Sequence, residues 1–369
     1  MEIRCNNQTS GWNAIQAAID ALPMDGGTVV VPAGSWRSGP IRLRSNMELR
    51  LEDGCDIYFN EDPSFYPEVA TRFDGIDCIA ASPMILADGC TDVFLHGHGT
   101  FHVKEEAFSV DEERLAGDIA SLRDMATSGI PVSERVFKGP DHFLPQVLLQ
   151  FSNCRNVRLK EFTIDGAPHG ALRLLRCENT TLQGLTLRTR GKCSPGLIAD
   201  SSKRVIIEGC HFSTGSDCVA VSAGAVTDFA AGTRPLEDVE VRRCYFTAGR
   251  NAFHMGPESA GGIRSILVRD CLIYSTDCGI RISSRKGRRG QICQVLFDGI
   301  QINEVREAIH IGCDRSCLSV RDVSIENITG TDVKTAVCCQ QDPEKEQPVI
   351  ELSNIHVEAM NGAELQAIG

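Results

Sequence analysis

Aromatic residues are scarce, at 6% of 369 positions, with only two tryptophans and four tyrosines. That leaves little for a core built on large rings and suits a stack of short aliphatic strands. Positive charge is also in short supply. Lys and Arg number 37 against 49 Asp and Glu, a formal net charge of −12 with a pI near 5.3. A duplex binder or a protein of anionic membranes needs a basic footprint, so nucleic acid and membrane are not expected as main partners. No segment approaches the roughly 18 uninterrupted apolar residues of a membrane span. Met1-Glu2-Ile3-Arg4-Cys5 lacks the apolar core of a secretory leader, so a cytoplasmic location is expected. Low-complexity tracts and linkers are missing too, and residues 1–369 read as one elongated domain.

What the chain has instead is a recurring triplet. Val219-Ala220-Val221, Phe253-His254-Met255, Ile280-Arg281-Ile282 and Ile309-His310-Ile311 each set one residue between two apolar ones. In a strand the flanking residues enter a core and the middle one points outward. The middle residues follow one another at gaps of 34, 27 and 29, a loose period of the kind stacked coils produce when their loops differ in length. Extended backward through Leu172-Arg173-Leu174, this register predicts that Arg173, His254, Arg281 and His310 share one outward face.

The 34 glycines and 42% hydrophobic residues supply turns and core for such a solenoid. Thr9 or Ser10 can cap a short helix with Trp12, Ile15, Ile19 and Leu22 on one face, so residues 1–26 read as a lid over the open end. Alternation breaks between about 103 and 146, where Asp111 to Ala126 has helical character. That stretch reads as an insertion walling one side of a cleft.

Seventeen cysteines would suit a disulfide framework in a small secreted chain, but their placement differs. Cys154, Cys177, Cys210, Cys244, Cys271 and Cys293 recur at gaps of 23, 33, 34, 27 and 22, the pattern of one column of small buried thiols. The segment Cys313 to Cys317 and the pair Cys338-Cys339 lack paired zinc-type spacing, so no metal or other cofactor is expected.

Several ordered motifs resemble glycoside hydrolase family 28, its bacterial polygalacturonase-like branch. They include Glu61-Asp62-Pro63, Thr71-Arg72-Phe73-Asp74-Gly75, Gly97-His98-Gly99-Thr100, Thr214-Gly215-Ser216-Asp217-Cys218 and Gly279-Ile280-Arg281-Ile282. The resemblance implies an all-β, right-handed parallel β-helix and hydrolysis of galacturonan or related pectic glycans. It also implies losses. The family's Asn-Thr-Asp falls on Cys193-Ser194-Pro195, the first member of its Asp-Asp pair on Ser216, its Gly-His-Gly histidine on Arg250, and its Arg-Ile-Lys on Arg281-Ile282-Ser283.

Inverting hydrolysis needs one carboxyl as acid and another as base. Asp217 alone cannot do both. Asp277 and Glu307, which precede the next outward strands, are candidates for the missing group, and His254 for a proton carrier. Arg281, Arg250, Arg173, Arg72, His169 and His310 are candidate contacts to a carboxylate-bearing oligosaccharide. Glu258, in the turn after the His254 strand, reads as structural. The expected function is hydrolysis of short uronate-containing oligosaccharides. The rivals are a glycan-binding relative without catalysis, and a uronate lyase or epimerase.

Overall fold

The structure is a computed structural model describing residues 1–6, 11–139, 141–225, 234–256, 258–284, 290–313, 318–339, 350–359 and 364–365. Each typical coil contributes three strands. Arg155–Lys160, Thr163–Asp165 and Leu172–Leu175 make one turn of the winding, and Glu178–Gln183, Thr186–Arg188 and Leu197–Asp200 make the next. Corresponding strands of successive coils pair in parallel and in register, as in Val157 with Thr180, Ile164 with Leu187 and Leu172 with Leu197. The winding is a right-handed parallel β-helix, the hand that twisted strands favour in parallel crossovers.

Alternation explains why these segments are strands. Val157, Leu159, Ile164, Leu172 and Leu174 all point inward and are at most 1% exposed, joining a core that runs from Cys5 to Val357. Corners fall on residues that tolerate a left-handed backbone. Asn156 and Asn179, both at φ 58°, also form a side-chain ladder in which Asn179 Nδ2 donates to Asn156 Oδ1 and Asn156 Nδ2 donates to Asp92 Oδ1, each at 3.0 Å.

The cysteines occupy two corner columns rather than one. Backbone pairing stacks Cys90, Cys154 and Cys177 at the turn leaving one sheet, and Cys210, Cys244 and Cys271 at another. Cys293 belongs to neither, lying mid-strand between Arg264 and Arg321. A sequence gap counts residues along a coil without saying which corner they turn, so the two columns look like one. No described cysteine is in a disulfide.

At the N-terminal end a short helix, Ala14–Asp20, buries Ala14, Ile15, Ala18 and Ile19 over the first coil. The expected caps Thr9 and Ser10 lie outside the described residues. No helix of the described residues is long and apolar enough to cross a membrane.

The insertion does not stand alone. Its helix Glu112–Thr127 and strand Val136–Phe137 dock on a hairpin, Glu68–Phe73 with Ile76–Ala81, to make a three-stranded side sheet. Phe73, Ile76, Cys78, Ala80, Leu122, Ala126, Phe137 and Leu144 form its separate core. The hairpin's alternation blends into the coil strands on either side, and only its non-local partner marks it as different.

Phe212 stacks on Phe246 of the next coil at 5.2 Å between ring centroids, both fully buried. Phe212→Ala is expected to cost about 3–5 kcal/mol, read as a fall in the denaturation midpoint.

Candidate active site on one sheet of the helix

One sheet carries the outward row expected from the triplets. Register runs from Gln150 to Arg173, Ile198, Ala220, His254, Arg281, His310 and Cys338, one residue per coil. Arg173, His254, Arg281 and His310 do share this face. Ile198 and Ala220 intervene, so Arg173 lies three rungs from His254, about 14 Å at the ~4.8 Å strand spacing.

Asp217 is the hub, sitting just before strand Val219–Ser222 and 7% exposed. Its Oδ2 meets His254 Nδ1 at 2.7 Å, and its Oδ1 accepts from Asn251 Nδ2 at 2.6 Å and Arg250 Nε at 3.3 Å. Burial alone would raise its pKa, but the hydrogen bond to His254 and the charges of His254 and Arg250 hold it well below the usual carboxylate range. The other His254 nitrogen, Nε2, lies 2.9 Å from Ser283 Oγ. Arg250 also donates to Ser216 Oγ at 3.1 Å and leans out into solvent.

Arg281, one rung beyond His254, is half-buried and makes no ion pair with any described residue. Among the described residues, where ion pairs are frequent, it is a cation left without an anionic partner.

Asp277 and Glu307 occupy different rungs. Gly249 pairs with Thr276 and Asn251 with Cys278, so Asp277 stands opposite Arg250. It is exposed and two rungs from Asp217, about 10 Å between backbones. Glu307 is three rungs away, about 14 Å, and is committed to His310 Nδ1 at 2.8 Å. That distance and that bond remove Glu307 as a partner carboxyl for Asp217. His310 is only 3% exposed, which leaves it little surface for a sugar. With Cys338 it nevertheless forms a cluster: ligand atoms of Glu307, His310 and Cys338 lie within 4.8 Å of one another. Zinc-type spacing along the chain missed this grouping because its members come from two coils. Thiol, imidazole and carboxylate together are a donor set able to seat a zinc-class ion. Cys317 lies outside the described residues.

Arg72 is a correction to the substrate-contact reading. It is 3% exposed, donating from Nε to Asp77 at 2.7 Å and from Nη1 to Asp200 at 2.8 Å. Burial would lower its pKa, yet the two carboxylates raise it above the ordinary value. It bolts the side sheet to the helix. Arg173 is likewise drawn inward, 8% exposed, donating to the Arg72 carbonyl at 2.6 Å. Its pKa is pushed down to about 10 by burial, offset in part by Asp200. His169 stacks on Phe73 at 4.7 Å, and burial with the nearby Arg173 pushes its pKa down to about 3, so the ring is neutral. These residues build the wall at the Gln150 end of the row, where Thr71 donates to Gln150 Oε1 at 2.9 Å.

Two participants escaped sequence reasoning. Asn251 is buried, 2% exposed, and its only signal is being polar two residues before an inward phenylalanine. Ser283 was visible only as the residue replacing a lysine.

Fold and site together define a parallel β-helix protein with a row of charged and polar side chains along one sheet. The profile of the Glycosyl hydrolases family 28 matches residues 140–367, well over half of the chain, which therefore belongs to that family. A hyperthermoactive exopolygalacturonase from Thermotoga maritima is similar over 97% of this chain and 87% of its own, at 28% identity and a TM-score of 0.90. A probable polygalacturonase of Vitis vinifera is 24% identical over 82% of this chain, and an exo-poly-alpha-D-galacturonosidase of Dickeya chrysanthemi 22% identical over 78%. The chain spans 60% and 52% of the lengths of those two relatives.

Two outcomes follow from the geometry. Arg72→Met is expected to destabilise the fold by about 3–5 kcal/mol in chemical denaturation, because Asp77 and Asp200 would be left buried without their cation. Asp200 and Asp217 have folded-state pKa values depressed below their unfolded ones, so their stabilisation is present above about pH 4 and lost as pH falls below it. Midpoints measured from pH 7 to pH 3 should drop, and Asp217→Asn should flatten that decline.

Proposed function

We propose that the chain hydrolyses glycosidic bonds of pectic galacturonan or of short uronate-containing oligosaccharides bound along the outward row. The observation that carries this reading is Asp217 hydrogen-bonded to His254 at 2.7 Å, one rung from Arg281, which has no ion pair among the described residues. Such a guanidinium suits a substrate that brings a carboxylate on every sugar. Family membership and the named activities of the similar proteins support it.

The division of labour follows from environment. Asp217, held ionised by its three donors, suits activation of water and not protonation of a leaving group. Asp277 stands on the far side of Arg250, about two rungs off, close to the upper end of the roughly 6.5–9.5 Å separation of inverting carboxyl pairs. It is the carboxyl left for the acid's part, with His254 the nearest other proton carrier. The wall around Thr71, Arg72 and His169 closes one end of the row, which favours removal of sugars from a chain end, as the names of the Thermotoga and Dickeya proteins indicate for them.

A second reading, glycan binding without turnover, is favoured by one observation. Both Asp217 oxygens are already engaged, by Asn251 and Arg250 on one side and by His254 on the other.

Against a panel of oligogalacturonates of defined length, wild-type chain should release short products from one end. Asp217→Asn should lower kcat by about 10²–10⁴-fold. Arg281→Ala should weaken binding by about 10–100-fold, the value of a charge-assisted contact. Calorimetric binding with no product from any member would establish the second reading, and neither binding nor cleavage would defeat both.

A further inference from the structure

We propose that Ser283, His254 and Asp217 form a nucleophilic triad that hydrolyses carboxylic esters carried by uronate-containing glycans. The choice of a sugar as carrier rests on the functional reading above, whereas the triad itself rests on geometry alone.

The constellation has the required order. Asp217 Oδ2 lies 2.7 Å from His254 Nδ1, and His254 Nε2 lies 2.9 Å from Ser283 Oγ. Nucleophile to base and base to orienting carboxylate are both at hydrogen-bond distance, the recognition criterion that recurs on unrelated folds. Asn251 fixes the carboxylate at 2.6 Å. His254 is 9% exposed, so its ring is held in place, while Ser283 at the end of the chain is half-exposed, where an incoming group can reach it. A hydrogen-bond chain serving only the core would have its terminal hydroxyl buried.

The surroundings agree. Ile280 and Ile282 are fully buried, so Arg281 and Ser283 point outward together on one strand. Ser283 pairs with Gly312 on the next coil, and Gly256 directly follows the strand paired on the other side, so neither flanking position carries a side chain over the hydroxyl. Arg281, without an ion pair among the described residues, is the cation available to a developing oxyanion. Serine also stands where the family motif has lysine, so the change that weakens the glycosidase pattern is the one that supplies the nucleophile.

The chemistry closes. His254 Nε2 takes the Ser283 proton as Oγ attacks the ester carbonyl carbon. Collapse of the tetrahedral adduct breaks the acyl carbon to oxygen bond, and the leaving alcohol takes the proton from His254. Water, deprotonated by His254, then attacks the acyl-serine, freeing the acid and restoring the Ser283 hydroxyl. Two esters fit this chemistry, a methyl ester of the uronate carboxyl and an acetyl ester of a sugar hydroxyl.

The test uses the full chain. A fluorophosphonate probe should give one adduct per chain, mapped to Ser283 by peptide mass, and none in Ser283→Ala. Methyl-esterified and O-acetylated oligogalacturonates are then assayed for methanol and acetate, and release of either supports the triad while identifying the ester. Asp217→Asn should slow that release by about 10⁴-fold, the cost of losing the orienting carboxylate. Absence of an adduct on wild-type Ser283 together with no release of methanol or acetate overturns the proposal, as does release that persists undiminished in Ser283→Ala. Reducing ends from de-esterified oligogalacturonate are counted separately. Their absence alongside ester release would defeat the glycosidase reading and leave the triad standing.

Discussion

In-register stacking of parallel coils is the constraint on which the rest depends. Because strands pair residue for residue, a side chain's place on the surface is fixed by two things only, its coil and its position within the strand. Groups far apart in sequence thereby become neighbours at a fixed pitch. Arg250 and Asp277 stand on facing rungs, and a few residues further along the same strands Ala220, His254, Arg281 and His310 follow one another in register. Loops can grow or shrink without disturbing this, which is why gaps of 34, 27 and 29 residues still deliver their middle residues to one row. The buried core and the reactive surface are the two faces of the same strands.

That constraint also decides what could be read from the sequence. Outward triplets such as Phe253-His254-Met255 and Ile280-Arg281-Ile282 were legible, because the flanking apolar residues must be inside. Leu197-Ile198-Ala199 hides the same arrangement, since an apolar middle residue erases the contrast, and with it the true distance from Arg173 to His254. Arg72 looked like a surface cation because nothing local announces that Asp200, more than a hundred residues on, will meet it inside. The hairpin carrying Arg72 alternates just as coil strands do. What sends it into a separate sheet is the apolar face of a helix that begins forty residues later. Register is a non-local property, and a single chain read locally records it only where the polar and apolar contrast is sharp.

Charge is arranged in two regimes. Around the wall, arginines are consumed. Arg72 serves Asp77 and Asp200, Arg176 pairs with Asp77, and Arg173 spends a donor on a backbone carbonyl. Buried carboxylates and guanidiniums in such a cluster stand or fall together, since removing either leaves an uncompensated charge in a poor solvent for ions. Along the row, Arg281 has no such partner among the described residues and Arg250 is only partly satisfied by Asp217 at 3.3 Å. An acidic chain that leaves cations open along one row concentrates attraction for an anionic ligand there, and the net charge of −12 says nothing against it.

The hub itself is where hydrolysis of two kinds of bond would compete. A carboxylate that accepts from an amide, a guanidinium and an imidazole is kept ionised and kept still, so it cannot supply a proton at neutral pH. What it can do is set the orientation and charge of its imidazole, and through that ring act on whatever Nε2 faces. Here Nε2 faces a hydroxyl 2.9 Å away. With lysine at position 283 that partner would be an ammonium, a donor with no lone pair to offer the ring and no nucleophilic oxygen. Serine converts the same three positions from a cation-bearing anion site into a base aimed at a nucleophile. The replacement of the lysine is therefore no simple loss, because its effect depends on the histidine that the preceding coil places in register beside Arg281.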